Sequence, residues 1–358
     1  MKHRILISTG GSGGHVVPAL ILYEHLKNHH DVFLSSDLRG SRFIKTKIKN
    51  FRIINVLPLT KSILLLPVNI IIFFIAIIKS LIFLKKEKIN TIISTGGYMS
   101  LPVCISAQIL NCKIILFEPN MVIGRSNLFF LNKSSSILCY SNKILNFPKK
   151  SEKKIKLIPP ILRKEIYSKR ISYENKIEKK IKILIIGGSQ GADYFQNNLK
   201  DTILKLSKKF NLEIAHQTSK KNMKNLKNFY TENKINHELF IFENDLFKLI
   251  KDINLCITRA GASSLAELVH LNLPFIAIPF PYAKDNHQFY NALFYEKLNC
   301  CWMLNQSSDF SEKLYSLISS IILNKNDLKE KIDAMKKISY ENSWNNINQK
   351  LIDIINEN

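Results

Sequence analysis

Thr9-Gly10-Gly11-Ser12-Gly13-Gly14-His15 follows a short apolar run and opens a helical pattern. Glycines at a strand-to-helix turn let the backbone bend sharply and approach a ligand closely, with the first N–H groups of the helix aimed at an anion. His15 is the one titratable group on this loop and fits a general base; taken alone, a histidine there is more often a hydrogen-bonding or capping residue. The dinucleotide fingerprint fails because Val16 stands where its third glycine belongs, and the Walker pattern fails because no lysine follows the glycines. The loop therefore implies an anionic or sugar-like ligand without specifying NAD or a P-loop nucleotide.

Further along, Gly187-Gly188-Ser189-Gln190-Gly191-Ala192 repeats the device, with the Ser189 hydroxyl and backbone donors at a helix start. Arg259-Ala260-Gly261-Ala262-Ser263-Ser264-Leu265-Ala266-Glu267 is a third such start, whose small residues leave the N-terminus open to a diphosphate. Each favourable charge–dipole interaction there is worth about 0.3–1 kcal/mol. Glu267 can accept two hydrogen bonds from a ribose diol, or simply balance the dipole of its helix. Pro279-Phe280-Pro281-Tyr282 leads into Lys284-Asp285-Asn286-His287-Gln288 with Asn291, groups suited to gripping sugar hydroxyls. Gly96-Gly97-Tyr98 and Glu118-Pro119-Asn120, with Gly124 and Asn127, also follow apolar runs. In open α/β sheets ligands bind beyond the carboxyl ends of the strands, so these loops belong with His15.

The elements that must carry these loops alternate: short β-branched runs, then longer helical stretches, the pattern of a parallel α/β sheet. Strands are expected at 4–8, 31–35, 51–56, 91–94 and 113–117, with a helix at 16–29. Residues 148–180 are dense in lysine, are broken by prolines and read as a linker. The pattern then restarts, with strands expected at 182–186, 213–216, 239–242, 255–258 and 275–278. The predicted organisation is an amino-terminal domain (1–160), a second domain of the same kind (161–340) and a terminal helix (341–358). Two Rossmann-like open sheets facing a central cleft are the expected fold.

Composition bounds the rest. A chain of 358 residues, 46% hydrophobic and 22% charged, has material for two packed cores and is not a disordered chain. Its net charge of +24 implies an anionic partner. Part of that excess matches a general bias toward Ile, Asn and Lys, and the lysines are not interleaved with stacking aromatics, which speaks against nucleic acid. Six cysteines form no C-x-x-C pair and no metal spacing with histidine, as expected of reduced thiols. The apolar run after Met1 is too short for an export signal. Residues 63–84 have the length and apolarity of a membrane-spanning helix. A single crossing would nevertheless place two strands of one sheet on opposite sides, and Pro67, Asn69 and Lys79 interrupt the run. The expected position is partly in the membrane interface, with Lys61, Lys79, Lys85, Lys86 and Lys88 beside it, and a buried crossover helix or a spanning helix is the alternative.

In combination and order, GGSGGHVVPAL, GGY-x-S-x-P, E-P-N-x₃-G-x₂-N, GGSQGA, RAGASSLAE and DNHQ-x₂-NA resemble the bacterial peptidoglycan N-acetylglucosaminyltransferases of glycosyltransferase family 28, from residue 9 to about 292. The resemblance implies a two-domain GT-B enzyme. Such an enzyme moves GlcNAc from UDP-GlcNAc to the muramoyl C4 hydroxyl of lipid I, forming lipid II with inversion, at the cytoplasmic face of the inner membrane and peripherally bound to an anionic surface. By similarity the donor meets Ser12, Gly13, Gly14, Asn120 and Arg163 from the first domain. From the second it meets Ser189, Glu243 beside the uracil, Ala262, Ser263, Ser264, Leu265, Ala266, Glu267 at the ribose, and Gln288 at the sugar. His15 matches the candidate base, and Gly97, Tyr98 and Asn127 are acceptor-side candidates. No cofactor is implied, and without an Asp-x-Asp motif no metal is expected. Another GT-B enzyme with a different donor or acceptor, a non-catalytic sugar-nucleotide module and a nucleic-acid binder are the alternatives.

Overall fold

The computed structural model describes residues 3–44, 48–56, 66–169, 180–241, 250, 252–339 and 342–357, with backbone only at 188–192. Two compact units emerge: Met1–Lys164 with Asn342–Asn358, and Glu165–Glu341. The helices used below are α1 (Gly13–Leu26), α2 (Leu66–Lys86), α3 (Leu101–Ile109), α4 (Gly188–Asn198), α5 (Ala262–His270), α6 (His287–Lys297) and α7 (Trp344–Asn356).

The first unit holds seven strands: β1 (Arg4–Ser8), β2 (Asp31–Ser36), β3 (Phe51–Ile53), β4 (Thr91–Ser94), β5 (Lys113–Glu118), β6 (Ser136–Cys139) and β7 (Ile155–Leu157). Their order is β3-β2-β1-β4-β5-β6-β7, parallel throughout, with Ser8 opposite both Ser35 and Ser94. Central strands are buried along nearly their whole length, which is why they read as unbroken apolar runs. The second unit repeats the plan with β8 (Ile181–Ile186), β9 (Leu212–Gln217), β10 (Asn236–Phe240), β11 (Leu255–Thr258), β12 (Phe275–Ala277) and β13 (Trp302–Met303), ordered β10-β9-β8-β11-β12-β13. Ile183, Ile185, Ile214, Ile257 and Ile276 join Phe195, Tyr230 and Leu314 in its core.

Several expected boundaries are corrected. The strand expected at 51–56 ends at Ile53, and α1 starts three residues earlier, at the glycines themselves. The lysine-rich start of the expected linker is part of the first sheet. Ile155–Leu157 forms an edge strand, in which Lys156 is half-buried and pairs with Glu357 at 2.5 Å. Lys154 donates to the carbonyls of Leu131, Asn132 and Ser134 at 2.9, 2.9 and 2.6 Å, tying that segment down. β10 begins at Asn236, and the short strands β6, β7 and β13 escape a pattern search.

Helix α2 is apolar on its outer side. Its buried residues are Asn69, Ala76, Ser80 and Leu84, a stripe set against α3, where the Ser106 hydroxyl donates to the Ile77 carbonyl at 3.0 Å. Ile71, Phe74, Ile78 and Ile82 point away and are 56–62% exposed. Among the described residues it is the one helix long and apolar enough to cross a membrane, and only 17% of its most apolar window is buried. β3 and β4, on either side of it in the chain, lie in one sheet.

The carboxy-terminal helix α7 packs on α1: Trp344 stacks on His25 with ring centroids 3.6 Å apart, and His25 Nδ1 meets the Asn348 amide oxygen. Lys113 donates to the carbonyls of Ile354 and Ile355 at the end of α7. Burial holds the His25 imidazole down at about 4, against about 6.5 when unfolded. The unfolded chain therefore binds this proton first, and the stability present above pH 6.5 is lost as the pH falls toward 4. Denaturant midpoints taken between pH 7 and pH 4.5 should show a loss on the order of 2–3 kcal/mol from this group. His25→Phe, which keeps an aromatic face for Trp344, should flatten that part of the profile.

Candidate functional site

In each sheet the strand order reverses at the first strand, β1 or β8, and the loops after that strand and its two neighbours open at the carboxyl edge. All the glycine-rich and small-residue segments fall there.

In the first unit, His15 is the third residue of α1, with Nδ1 2.9 Å from the carbonyl oxygen of Thr95 in the loop after β4. A carbonyl only accepts, so Nδ1 carries a hydrogen, and in the neutral imidazole the lone pair is on Nε2. Gly97 makes the ring's position possible: at φ +81° it adopts a conformation that suits glycine, and a Cβ there would sit 3.3 Å from Cδ2 and 3.4 Å from Nε2. Ser12 is the exposed N-cap, its hydroxyl unused by the helix. Gly13 and Gly14 follow as the first two helical residues, whose N–H groups have no carbonyl four residues back.

Three residues to which the sequence alone gives no role hold this arrangement. Buried Asp37 accepts from the N–H groups of Gly11 and Gly40, both at 2.8 Å, and from Arg39 Nε at 3.2 Å. Thr95 bonds the Thr9 hydroxyl at 2.8 Å as well as His15. Buried Glu118 accepts from the Asn120 side chain at 2.9 Å, Gly124 N–H at 2.7 Å and Asn127 Nδ2 at 2.9 Å. Asn120 is thus aligned by Glu118. Asn127, expected on the acceptor side, is 2% exposed and gives its amide hydrogens to Glu118 and the Phe117 carbonyl, so the structure makes it a support for this loop. Tyr98 packs toward α2, its ring centroid 6.0 Å from that of Phe73. Arg163 is half-buried in a segment pinned by Tyr140, which accepts from Ile161 N–H, and by Asn342, which donates to the Pro160 carbonyl.

In the second unit, Gly187 caps α4, and Ser189 stands in its first turn. Gly261 caps α5, where Ala262, Ser263 and exposed Ser264 form an open first turn. Leu265 and Ala266 contribute nothing more: both side chains are buried and Leu265 N–H is spent on the Gly261 carbonyl. Glu267 is buried one turn further on. Gln288 uses its carbonyl to accept from Phe280 N–H at 3.0 Å, leaving its amide hydrogens for a ligand. Asn291 donates to the Ala260 carbonyl at 3.1 Å, fastening α6 to the start of α5. Glu243 lies outside the described residues. Among those described, no cluster of metal-ligating side chains occurs.

Arg259 opens the RAGASSLAE motif, and the sequence alone gives it no role. It is 6% exposed, with its guanidinium 4.8 Å from the ring centres of Tyr194 and Phe195 on α4 and 5.5 Å from that of Phe280. Nη1 donates to the carbonyls of Ile278 and Pro279 at 3.2 and 3.1 Å, and the Gln306 amide oxygen accepts from Nη2 at 2.9 Å. One buried cation thus joins the loops after β8, β11 and β12. Burial lowers its pKa to about 10, which leaves it charged at neutral pH.

Two Rossmann-like parallel-sheet units, each presenting helix N-termini at its switch point, define a GT-B glycosyltransferase fold. Residues 5–138 match the glycosyltransferase family 28 N-terminal domain and residues 182–346 its C-terminal domain. A UDP-N-acetylglucosamine–N-acetylmuramyl-(pentapeptide) pyrophosphoryl-undecaprenol N-acetylglucosamine transferase of Pelagibacter ubique is 51% identical over the whole of both chains. The protein of that name from Rickettsia bellii is 32% identical, over 94% of this chain and 98% of its own. The crystal structure of Acinetobacter baumannii MurG superposes with a TM-score of 0.76 at 23% identity, covering 99% of each chain. The chain belongs to glycosyltransferase family 28.

Removing the Asp37 carboxylate strands the N–H groups of Gly11 and Gly40, at about 1–3 kcal/mol for each buried unpaired group. Asp37→Ala should lower the urea midpoint accordingly, whereas Asp37→Asn, which keeps one accepting oxygen, should lose less than half as much. Equal losses would mean that Asp37 acts through its charge on Arg39.

Proposed function

We propose that this enzyme transfers GlcNAc from UDP-GlcNAc to the C4 hydroxyl of the muramoyl-pentapeptide of lipid I, giving lipid II with inversion at the anomeric carbon. The observation that carries the chemistry is the His15–Thr95 hydrogen bond, because it assigns a hydrogen to Nδ1 and makes Nε2 the accepting nitrogen of the neutral ring, at a glycine-lined surface. Nε2 removes the proton from the acceptor hydroxyl as that oxygen attacks the anomeric carbon, and the bond to the UDP oxygen breaks on the opposite face. The departing diphosphate gains negative charge. The open first turns at Ser189 and at Ala262–Ser264 answer it with N–H groups and dipole, and Arg259 adds a fixed positive charge behind them. These groups stabilise the leaving diphosphate without a metal. Glu267 takes the ribose, Gln288 the donor sugar through its free amide hydrogens, and Ser12, Gly13, Gly14, Asn120 and Arg163 complete the donor contacts.

Transfer of labelled GlcNAc to a lipid I analogue tests this reading. UDP-GlcNAc should be used in preference to UDP-Gal and UDP-GalNAc, and added chelator should not lower the rate. His15→Ala should reduce turnover by roughly 10²–10⁴-fold with little change in UDP affinity. A loss below tenfold would make His15 a binding residue and place the base elsewhere.

A lipid-linked acceptor stays in its bilayer, so the enzyme must work at that surface. We infer peripheral binding to the anionic cytoplasmic face of the inner membrane through the outer side of α2, where Lys79, Lys85, Lys86 and Lys88 are exposed. Each lysine near such a surface contributes about 1 kcal/mol, fading within a Debye length of roughly 10 Å at 0.1 M salt. Membrane charge accounts for part of the net +24 without a nucleic acid partner. Binding to phosphatidylglycerol-containing vesicles should fall steeply with salt and with the four lysines changed to Gln, while UDP binding stays intact. Alkaline carbonate should release the protein, and a protein retained in the pellet would overturn the peripheral reading.

A further inference from the structure

An apolar pocket of about 230 Å³ opens in the first unit where α2 meets the loop after β4, lined by Ile70, Phe73 and Phe74 on one side and Tyr98 and Leu101 on the other. Its position ties it to both features of the proposed function. Tyr98 directly follows Gly97, the glycine against which the His15 ring rests. Ile70 and Phe74, 41% and 59% exposed, belong to the outer apolar side of α2. The pocket is therefore walled on one side by the outer apolar residues of α2 and on the other by the residue that follows Gly97.

Its chemistry is narrow. The lining carries a single hydroxyl, on Tyr98, and that oxygen is buried with no hydrogen-bond partner among the described residues. A ligand thus meets hydrocarbon and aromatic faces and no polar group. The volume falls below the roughly 300–1,000 Å³ of sites that enclose a drug-sized molecule, so the pocket suits a short length of chain and not a sugar or a nucleotide.

Resting on the lipid I reading above, we propose that this pocket binds the first isoprene units of the acceptor's polyprenyl chain. In such an acceptor one diphosphate joins the sugar to the chain. A sugar hydroxyl held at His15 thus brings the start of the chain to the neighbouring surface, and Tyr98 and α2 form that surface. Holding the chain there draws the head of the acceptor out of the bilayer plane and limits the positions its sugar can take above Nε2. Branched, unsaturated units match the aromatic lining of Phe73, Phe74 and Tyr98. A bilayer acyl chain is the competing occupant, and the test separates the two.

The full-length protein, without membranes, is irradiated with a photoreactive geranyl diphosphate and digested. Labelling should fall on peptides carrying residues 66–101 and be competed by geranyl diphosphate but not by inorganic diphosphate or decanoate. Ile70→Trp, which narrows the mouth from an exposed position, should cut labelling about tenfold, the effect of losing burial of roughly two methylene groups. The same variant should lower kcat/KM about tenfold more for a prenyl-bearing acceptor than for one with a methyl group in place of the chain. Labelling elsewhere, competition by decanoate, or equal loss on the two acceptors would overturn the pocket. Failure of the unaltered protein to use either acceptor would instead overturn the reaction, since the labelling reads the pocket independently of turnover.

Discussion

The hydrogen bond from His15 Nδ1 to the Thr95 carbonyl joins the helix after β1 to the loop after β4. It exists because those strands are neighbours, with Ser8 opposite Ser94. Were β1 flanked differently, the imidazole would lack this fixed carbonyl and either nitrogen could carry the hydrogen. Much of the local structure serves the same geometry. Gly97 clears space for the ring, Asp37 holds the turn at Gly11, and the Thr9–Thr95 hydroxyl pair locks the two loops together. A base whose free nitrogen is defined by a backbone carbonyl needs no carboxylate behind it.

The second unit starts from the same strand order and solves a different electrostatic problem. The groups that the proposed reading assigns to the diphosphate at α4 and α5 are backbone dipoles, which act only within the first turn. Arg259 adds a full charge, yet among the described residues no carboxylate lies within ion-pair distance of it. Three aromatic rings and backbone carbonyls take that place. An acidic partner would have neutralised the field offered to a diphosphate, whereas rings and carbonyls stabilise the cation and leave its net charge standing. The same contacts fix the spacing of the loops around it, so positioning and electrostatics reside in one side chain.

How much of this was legible follows from what a linear pattern can record. Glycine loops after apolar runs are local, and both switch points could be read from RILIS and KILII with the glycines behind them. Partners brought in by the sheet are not local: Asp37, Thr95 and Arg259 look ordinary until β2, β4 and β12 are set beside their neighbours. Side-chain direction is equally hidden. Leu265 and Ala266 share a motif with Ser264, but helical periodicity turns them into the core while Ser264 stays outside. Edge strands also elude pattern reading, since β7 alternates isoleucine and leucine with lysine and looks like a charged linker.

Helix α2 shows how the fold and its setting bear on one segment. A globular helix ordinarily turns its large apolar residues inward, but here the inner stripe is Asn69, Ala76, Ser80 and Leu84. Small residues let α2 lie close on α3, and close approach is what allows Ser106 to reach the Ile77 carbonyl. The large residues are displaced to the outside, where Ile71, Phe74, Ile78 and Ile82 each keep more than half their surface in water. Covering them by lipid recovers about 1 kcal/mol apiece at half exposure, comparable to the contribution of each lysine at the end of the helix. Neither set alone makes a firm attachment. A crossing of a bilayer would strip the Asn69 and Ser80 stripe from its packing and pull β3 and β4 apart, so the sheet opposes it.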